Sequence, residues 1–169
     1  QRDRAHRIRG IDDEEALAYL EKAATLDREL DDPWQLGDLL VELATYEATM
    51  ARYTEAMRDL TEAVRLREQT NSQPNPFLLA VVAYVHHARG ETAMATGALG
   101  AYDATGHTSA WATDDFRRPR TAVRTTRAAL DPVAVAAAAE AAHGEPIAAL
   151  LDRWISTPFA DRASMGDSR

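Results

Sequence analysis

Apolar residues recur every three or four positions along most of the chain, the spacing that places side chains on one face of an α-helix. No strictly alternating pattern of the kind that marks a β-strand competes with it over any length. In the first half the recurring positions are Ala16, Leu20 and Ala23, then Leu36, Leu39, Leu40, Leu43 and Met50, then Ala56, Leu60, Ala63 and Val64. The pattern predicts an all-α fold.

Helix starts are marked by a short acceptor side chain followed by proline, whose missing N–H costs nothing in the first turn of a helix. The pairs are Asp32-Pro33, Asn75-Pro76 and Asp131-Pro132. A further start is Asp12 with Glu15 three residues later, the spacing of a capping box. In the second half we expect helices over 76–89 and 91–104, one ending near Leu130, one from Pro132 to His143 and one from Pro146 to Ile155.

The helical pattern repeats itself along the chain. Ala16, Ala56 and Ala95 lie 40 and 39 residues apart. Small residues at such positions let neighbouring helices approach closely, so the repeat predicts stacked helix–turn–helix pairs. The other matching sets are Leu20, Leu60 and Leu99, then Ala23, Ala63 and Tyr102, and on the preceding helices Leu40 and Leu79, Leu43 and Val82, Ala44 and Ala83.

The best-matching unit carries Leu40, Leu43 and Ala44 on its first helix and Tyr53, Ala56, Leu60 and Ala63 on its second. This arrangement resembles the degenerate signature of the tetratricopeptide repeat family. The period is longer than the ~34 residues usual for that family, Glu47 stands where an aromatic residue is common, and Tyr102 replaces a small residue. The resemblance implies an antiparallel helix-pair solenoid, an α-α superhelix, with C-terminal capping helices.

The longer period is similar to that of the repeat arrays in bacterial LuxR-type and AfsR-type transcriptional regulators, which are signal-transduction ATPases. The segment from Glu15 to Trp34 is much like theirs, and so is Ala128-Ala129-Leu130 followed by an Ala-rich helix and a last amphipathic helix. The resemblance covers about residues 5–156. It implies a protein–protein interaction module of a bacterial regulatory or signalling protein, without catalytic activity.

The repeats and the punctuation together predict five segments. The last amphipathic helix carries its apolar residues, Trp154 among them, on one stripe, so we expect it to cover the end of the array and to bury Trp154 fully. The segments are the end of a truncated preceding helix over 1–10, repeats over 11–104, a loop over 105–118, capping helices over 119–156 and a flexible tail over 157–169.

Composition excludes several classes of function. The formal net charge is −8 and the pI is near 5.1, so direct binding to nucleic acid or to an anionic membrane is disfavoured. Cysteine is absent, which removes thiol nucleophiles and cysteine-bound zinc. The chain has no apolar run near the ~20 residues that span a bilayer, and we expect a cytoplasmic protein.

Catalytic and metal-binding spacings are also missing from the sequence. We find no glycine-rich phosphate loop, no His-Glu-x-x-His and no Gly-x-Ser-x-Gly. His86 and His87 are adjacent and point about 100° apart on a helix, whereas a shared metal favours positions i and i+4. The acidic clusters at 12–15 and 114–115 are either helix caps or a cation site, and capping accounts for the first. We therefore expect no enzyme, cofactor or metal.

Five arginines between Arg117 and Arg127 form the one basic stretch. It is either a dock for an acidic partner or a phosphate backbone, or a solvated helix face that balances an acidic protein. The three tryptophans are expected to pack between helices rather than to bind ligands. They are Trp34, Trp111 and Trp154.

The family pattern places the first helix of each pair along a concave groove, which such arrays use to hold peptides or partner helices. Val41, Thr45, Phe77 and Val81 stand where chaperone-binding members carry cationic and amide residues, so we expect a protein or peptide segment of apolar or mixed character instead. Helix packing without any ligand, and a scaffold or self-association domain forming a homodimer, stay open. The candidate binding residues are Asp38, Val41, Thr45, Thr49, Phe77, Ala80, Tyr84 and His87.

Overall fold

The computed structural model describes residues 13–72, 75–106 and 117–156, which form eight α-helices and no strand. The all-α prediction is confirmed for this part of the chain. The predicted helix end over 1–10, the tail over 157–169 and most of the predicted loop, residues 107–116, lie outside it. The helices are α1 (Asp13–Leu30), α2 (Pro33–Thr49), α3 (Tyr53–Gln69), α4 (Phe77–Arg89), α5 (Thr92–Ala104), α6 (Arg117–Ala129), α7 (Pro132–Ala141) and α8 (Ile147–Ser156).

The acceptor–proline signals begin helices as predicted. The Asp32 carboxylate accepts the backbone N–H of Gln35 at 3.1 Å, and Asp131 accepts that of Val133 at 3.0 Å. The third acceptor, Asn75, accepts the backbone N–H of Phe77 at 3.0 Å. Each contact satisfies an N–H that the first turn leaves without a helical partner.

The repeat extends to the backbone of the turns. Asp31 and Asn71, which follow α1 and α3 at an offset of 40, have φ of 54° and 52°. Ala51 and Gly90, which follow α2 and α4 at an offset of 39, have φ of 60° and 88°. These left-handed residues end each helix in the same way, so matching positions of the sequence repeat take the same conformation.

The helices stack in chain order through the first five. Helices α2 and α3 form one hairpin and α4 and α5 the next, with α1 on α2 and with α4 against both α2 and α3. Helices α6 and α8 then fold back, α6 onto α4 and α2, and α8 onto α4 and α3. Because α4 is apolar on all sides, only a position covered from every direction suits it. From Phe77 to His86 every residue except Tyr84 is buried.

The C-terminal helices approach α5 through its glycines. Ala138 of α7 lies against Gly100, and the indole of Trp154 of α8 lies against Gly97. The apolar stripe of α8 buries Leu150, Leu151 and Ile155. Trp154 itself is half-buried, so the expectation of full burial is wrong, and its Nε1 has no hydrogen-bond partner among the described residues.

The other two tryptophans are Trp34 and Trp111. Trp34 is 55% exposed at the start of α2, so it does not lie in the core, but it packs against a side chain of α3. The Arg67 guanidinium lies 5.4 Å from its ring centroid, a cation–π contact at the surface. Trp111 lies outside the described residues. No helix in the described ranges is long and apolar enough to cross a membrane.

Candidate functional site

The predicted groove residues lie on α2 and α4, and half of them are inaccessible. Val41, Thr45, Phe77 and Ala80 are between 0% and 4% exposed. A side chain with no exposed surface offers nothing to a partner while its cover stays in place. The accessible members are Thr49, which is exposed, and Asp38, Tyr84 and His87, which are half-buried.

The cover over this groove is α6 of the same chain, which packs on α4 and α2. Its inward positions are Pro119, Val123, Thr126 and the following Leu130, all buried. Their spacing of three and four residues forms one narrow stripe, which suits a helix held along a groove. Sequence patterning identified α6 as a basic helix but did not indicate that it packs on α2 and α4.

The N-terminal end of α6 is fixed by Arg118. Its guanidinium donates to both carboxylate oxygens of Asp13 on α1, at 2.8 and 2.9 Å, and lies 3.8 Å from the ring centroid of Tyr46 on α2. The hydrogen bonds from Arg118 lower the pKa of the Asp13 carboxyl. One arginine therefore makes a bidentate ion pair and an aromatic contact at once.

The C-terminal end of α6 is fixed in a similar way by Arg127. It donates to both oxygens of Asp103 on α5, at 2.8 and 2.5 Å. Beside this pair the ring of Tyr102 meets Phe77 edge-on, with 6.4 Å between ring centroids. The ion pair ties the end of α6 to the end of α5, and the buried aromatic pair beside it joins α5 to the beginning of α4.

The arginines of the basic stretch therefore fall into two groups, those that pair with carboxylates of α1 and α5 and those that face solvent. Arg118 and Arg127 bind carboxylates of their own chain. Arg120 and Arg124 are exposed one turn apart and make no ion pair within the ranges that the structure describes. The side chain of Arg117 lies outside those ranges.

What remains open of the groove is a strip at the C-terminal ends of α2 and α4. The hydroxyls of Thr49 and Tyr84 are 2.8 Å apart and bridge the two helices, and His87 lies one turn beyond Tyr84. Asp38 is not part of this strip because its carboxylate accepts a hydrogen bond from Arg67 of α3 at 2.9 Å. Burial raises the pKa of Asp38.

Two buried carboxylates on α2 and α3 were not among the predicted site residues. Glu47 and Asp59 are each 1% exposed, and each has one oxygen that finds no hydrogen-bond partner within the part of the chain that the structure describes. Burial, followed by the charge of Asp59, raises the pKa of Glu47 to about 8 although Arg52 lies 3.6 Å away. The signal in the sequence is that Glu47 continues the apolar spacing of Leu40, Leu43 and Ala44.

A cavity of about 170 Å³ lies between the end of α3 and α8. Its walls combine apolar side chains such as Leu151 and Ile155 with polar ones such as Arg65 and Asp152. Within the part of the chain that the structure describes, no three metal-binding side chains converge.

No protein-family model matches the sequence, and no curated protein or solved structure matches it either. The resemblance to tetratricopeptide repeats therefore rests on the repeated residues themselves.

Proposed function

We propose that this protein is a non-catalytic protein–protein interaction module, a tetratricopeptide-like helix-pair solenoid whose groove between α2 and α4 accommodates an amphipathic helix. The observation that carries the proposal is α6, which is such a helix and lies there in the free chain. The similarity of residues 5–156 to the arrays of bacterial transcriptional regulators supports a place in a regulatory or signalling protein.

The chemistry of the partner helix follows from the contacts of α6. A carboxylate lies at each end of the groove. Asp13, beside Tyr46, binds Arg118 at one end, and Asp103 binds Arg127 at the other. Between these two ends α6 buries three side chains of modest size, those of Pro119, Val123 and Thr126. A helix that presents two arginines nine residues apart with such residues between them meets the same groups.

In this proposal the partner helix takes the place of α6. The open strip of Thr49, Tyr84 and His87 adjoins the Arg118 end of α6, so a partner has accessible groups there before α6 leaves. The two ion pairs of α6 are partly exposed, and pairs of that kind contribute about 1 kcal/mol or less each.

The test uses a labelled peptide of residues 117–130 added to the whole chain. In the Arg118→Ala/Arg127→Ala variant the groove walls are unchanged while its own α6 is held less firmly. We expect this variant to bind the peptide about tenfold more tightly than the native chain does, because α6 competes less.

The matched control is the same peptide carrying both alanine substitutions, which should bind the variant more weakly than the native peptide. Equal binding of the two peptides, or no binding by the variant, would show that α6 is a permanent part of the core and would overturn the proposal.

A second candidate, a self-association domain without a diffusible ligand, is favoured by the exposed apolar side chains of α1, Tyr19, Leu26 and Leu30. Light scattering on the native chain separates the two candidate functions. A constitutive dimer that Leu26→Glu dissociates supports self-association, and a monomer supports the interaction module.

A further inference from the structure

The guanidinium of Arg118 is held on two sides at once. Its terminal nitrogens Nη1 and Nη2 donate to Oδ1 and Oδ2 of Asp13 at 2.8 and 2.9 Å, so the carboxylate contacts the end of the planar group. Its central carbon Cζ lies over the ring of Tyr46, 3.8 Å from the centroid, so the ring contacts one face. We call Asp13 and Tyr46 the Arg118 pocket.

These contacts suit arginine better than lysine, although both side chains carry one positive charge. A planar guanidinium presents two parallel N–H donors to a carboxylate and a flat face to an aromatic ring. The ammonium of lysine is a compact, strongly hydrated charge without a flat face. A lysine at this position therefore keeps the charge attraction to Asp13 but loses the paired hydrogen bonds and the flat contact with Tyr46.

The contact at the other end of α6 is a more exposed ion pair. Arg127 also donates from both terminal nitrogens to one carboxylate, that of Asp103. Among the described residues, however, no aromatic ring lies over its guanidinium, and its side chain is 45% exposed against 30% for Arg118. Exposed ion pairs contribute little energy, and a lysine recovers part of it. The two ends of α6 should therefore differ in how strictly they require arginine.

The Arg118 pocket lies where α6 opens readily. Arg118 is the second residue of α6, and a helix end opens more readily than its middle. Tyr46 lies one turn before Thr49 on α2, whose hydroxyl is part of the open strip with Tyr84. An incoming helix therefore meets the strip first and the Arg118 pocket next, before Val123 and the rest of α6 must leave.

We propose that the Arg118 pocket is selective for arginine and determines which partner helices displace α6. This inference rests on the proposed function, since it names the residues by which the groove chooses its partner. A helix with arginine at the position of Arg118 occupies the pocket, and one with lysine there competes about tenfold less well. At the position of Arg127 either cation serves.

The test uses the Arg118→Ala/Arg127→Ala chain, in which neither end of α6 carries its own arginine, and four labelled peptides of residues 117–130. They are the native peptide and the peptides with Arg118→Lys, Arg127→Lys or Arg124→Lys. We expect Arg118→Lys to weaken binding about tenfold and Arg127→Lys about threefold or less. Arg124→Lys is the matched control and should leave binding unchanged, because Arg124 is exposed.

Three further substitutions in this chain test the two walls of the pocket. Tyr46→Phe keeps an aromatic face and should preserve the preference for arginine. Tyr46→Leu removes that face, so the loss on Arg118→Lys should fall to the level of the loss on Arg127→Lys. Asp13→Asn removes the paired acceptor and should also reduce the preference, which keeps the pocket testable if Tyr46→Leu does not fold. Circular dichroism checks that each variant keeps its helices.

The outcomes separate this proposal from the proposed function. Equal binding of the native and Arg118→Lys peptides would overturn the selectivity of the pocket and leave the proposed function intact. A tenfold preference that survives both Tyr46→Leu and Asp13→Asn would overturn it as well. If the native peptide does not bind, the proposed function fails, and the pocket then has no part in choosing a partner.

Discussion

The indole ring of Trp154 on α8 lies directly against Gly97 on α5. A Cβ added at Gly97 would come closer than 3.0 Å to two carbon atoms of that ring. Glycine at this position therefore determines how closely α8 approaches the array.

We predict that Gly97→Ala destabilises the protein by about 1–3 kcal/mol, because the ring must move out of a packed position. Urea denaturation measures the change in the free energy of unfolding. Gly37→Ala in α2 is the control, since a Cβ there has no neighbour within 4 Å and alanine favours a helix. A loss no greater than that of Gly37→Ala would contradict the close approach. Because the clash needs both partners, Gly97→Ala should cost less in a Trp154→Ala background.

The second prediction concerns the Arg118 end of α6. Asp13→Asn removes the ion pair, so the amides of α6 should exchange faster with deuterium while those of α4 stay protected. Both side chains are partly exposed, and we expect a loss of about 1 kcal/mol or less in stability.

The contribution of the ion pair between Arg118 and Asp13 to the stability of the protein depends on pH. Arg118 lowers the pKa of Asp13, so this contribution to stability is present above the ordinary value of 3.8 and is lost as pH falls through the lower, folded-state pKa. Glu62→Gln, which breaks the exposed pair with Arg28, is the control and should leave exchange in α6 unchanged. Equal exchange in both variants would show that Arg118 does not hold α6.

The third prediction concerns the buried Glu47. Its pKa rises from 4.5 to about 8 on folding, so the folded chain binds the proton more tightly than the unfolded chain does. Stability should therefore decrease as pH rises from about 4.5 to about 8. The groups facing Glu47 are Asp59 and Glu55, which raise its pKa, and Arg52 and Arg58, which lower it.

Glu47→Gln should flatten this dependence and stabilise the protein at pH 8, since the amide stays neutral. Chemical denaturation at a series of pH values measures the slope. Glu68→Gln, at an exposed position near the end of α3, is the control. A slope that Glu47→Gln leaves unchanged would show that Glu47 is ionised in the folded chain.

The fourth prediction separates two aromatic residues of the predicted groove. Phe77 is 4% exposed and packs on Tyr102, so Phe77→Ala should cost about 3–5 kcal/mol. Tyr84→Phe removes only the hydrogen bond with Thr49 and should cost about 1 kcal/mol. Urea denaturation of both variants checks that Phe77→Ala loses more stability than Tyr84→Phe. Equal midpoints would contradict the burial of Phe77 beneath α6.

Local signals predicted the helices well because each acts over a few residues. Asp32 begins α2 through a backbone N–H three residues away, and Gly90 ends α4 through its own left-handed conformation. The repeat of 39 to 40 residues likewise predicted which helices pair, since Ala56 and Ala95 need a close neighbour wherever they occur.

The sequence by itself determined an all-helical chain of repeated pairs and a basic helix after them. Only the tertiary structure decided that this helix lies in the groove, because the contact between Arg118 and Asp13 joins residues 105 positions apart. The same holds for the buried residues Val41 and Ala80, whose apolar character suits a partner and a core equally well. Periodicity reports which face of a helix is apolar, but which element covers that face depends on contacts between distant parts of the chain.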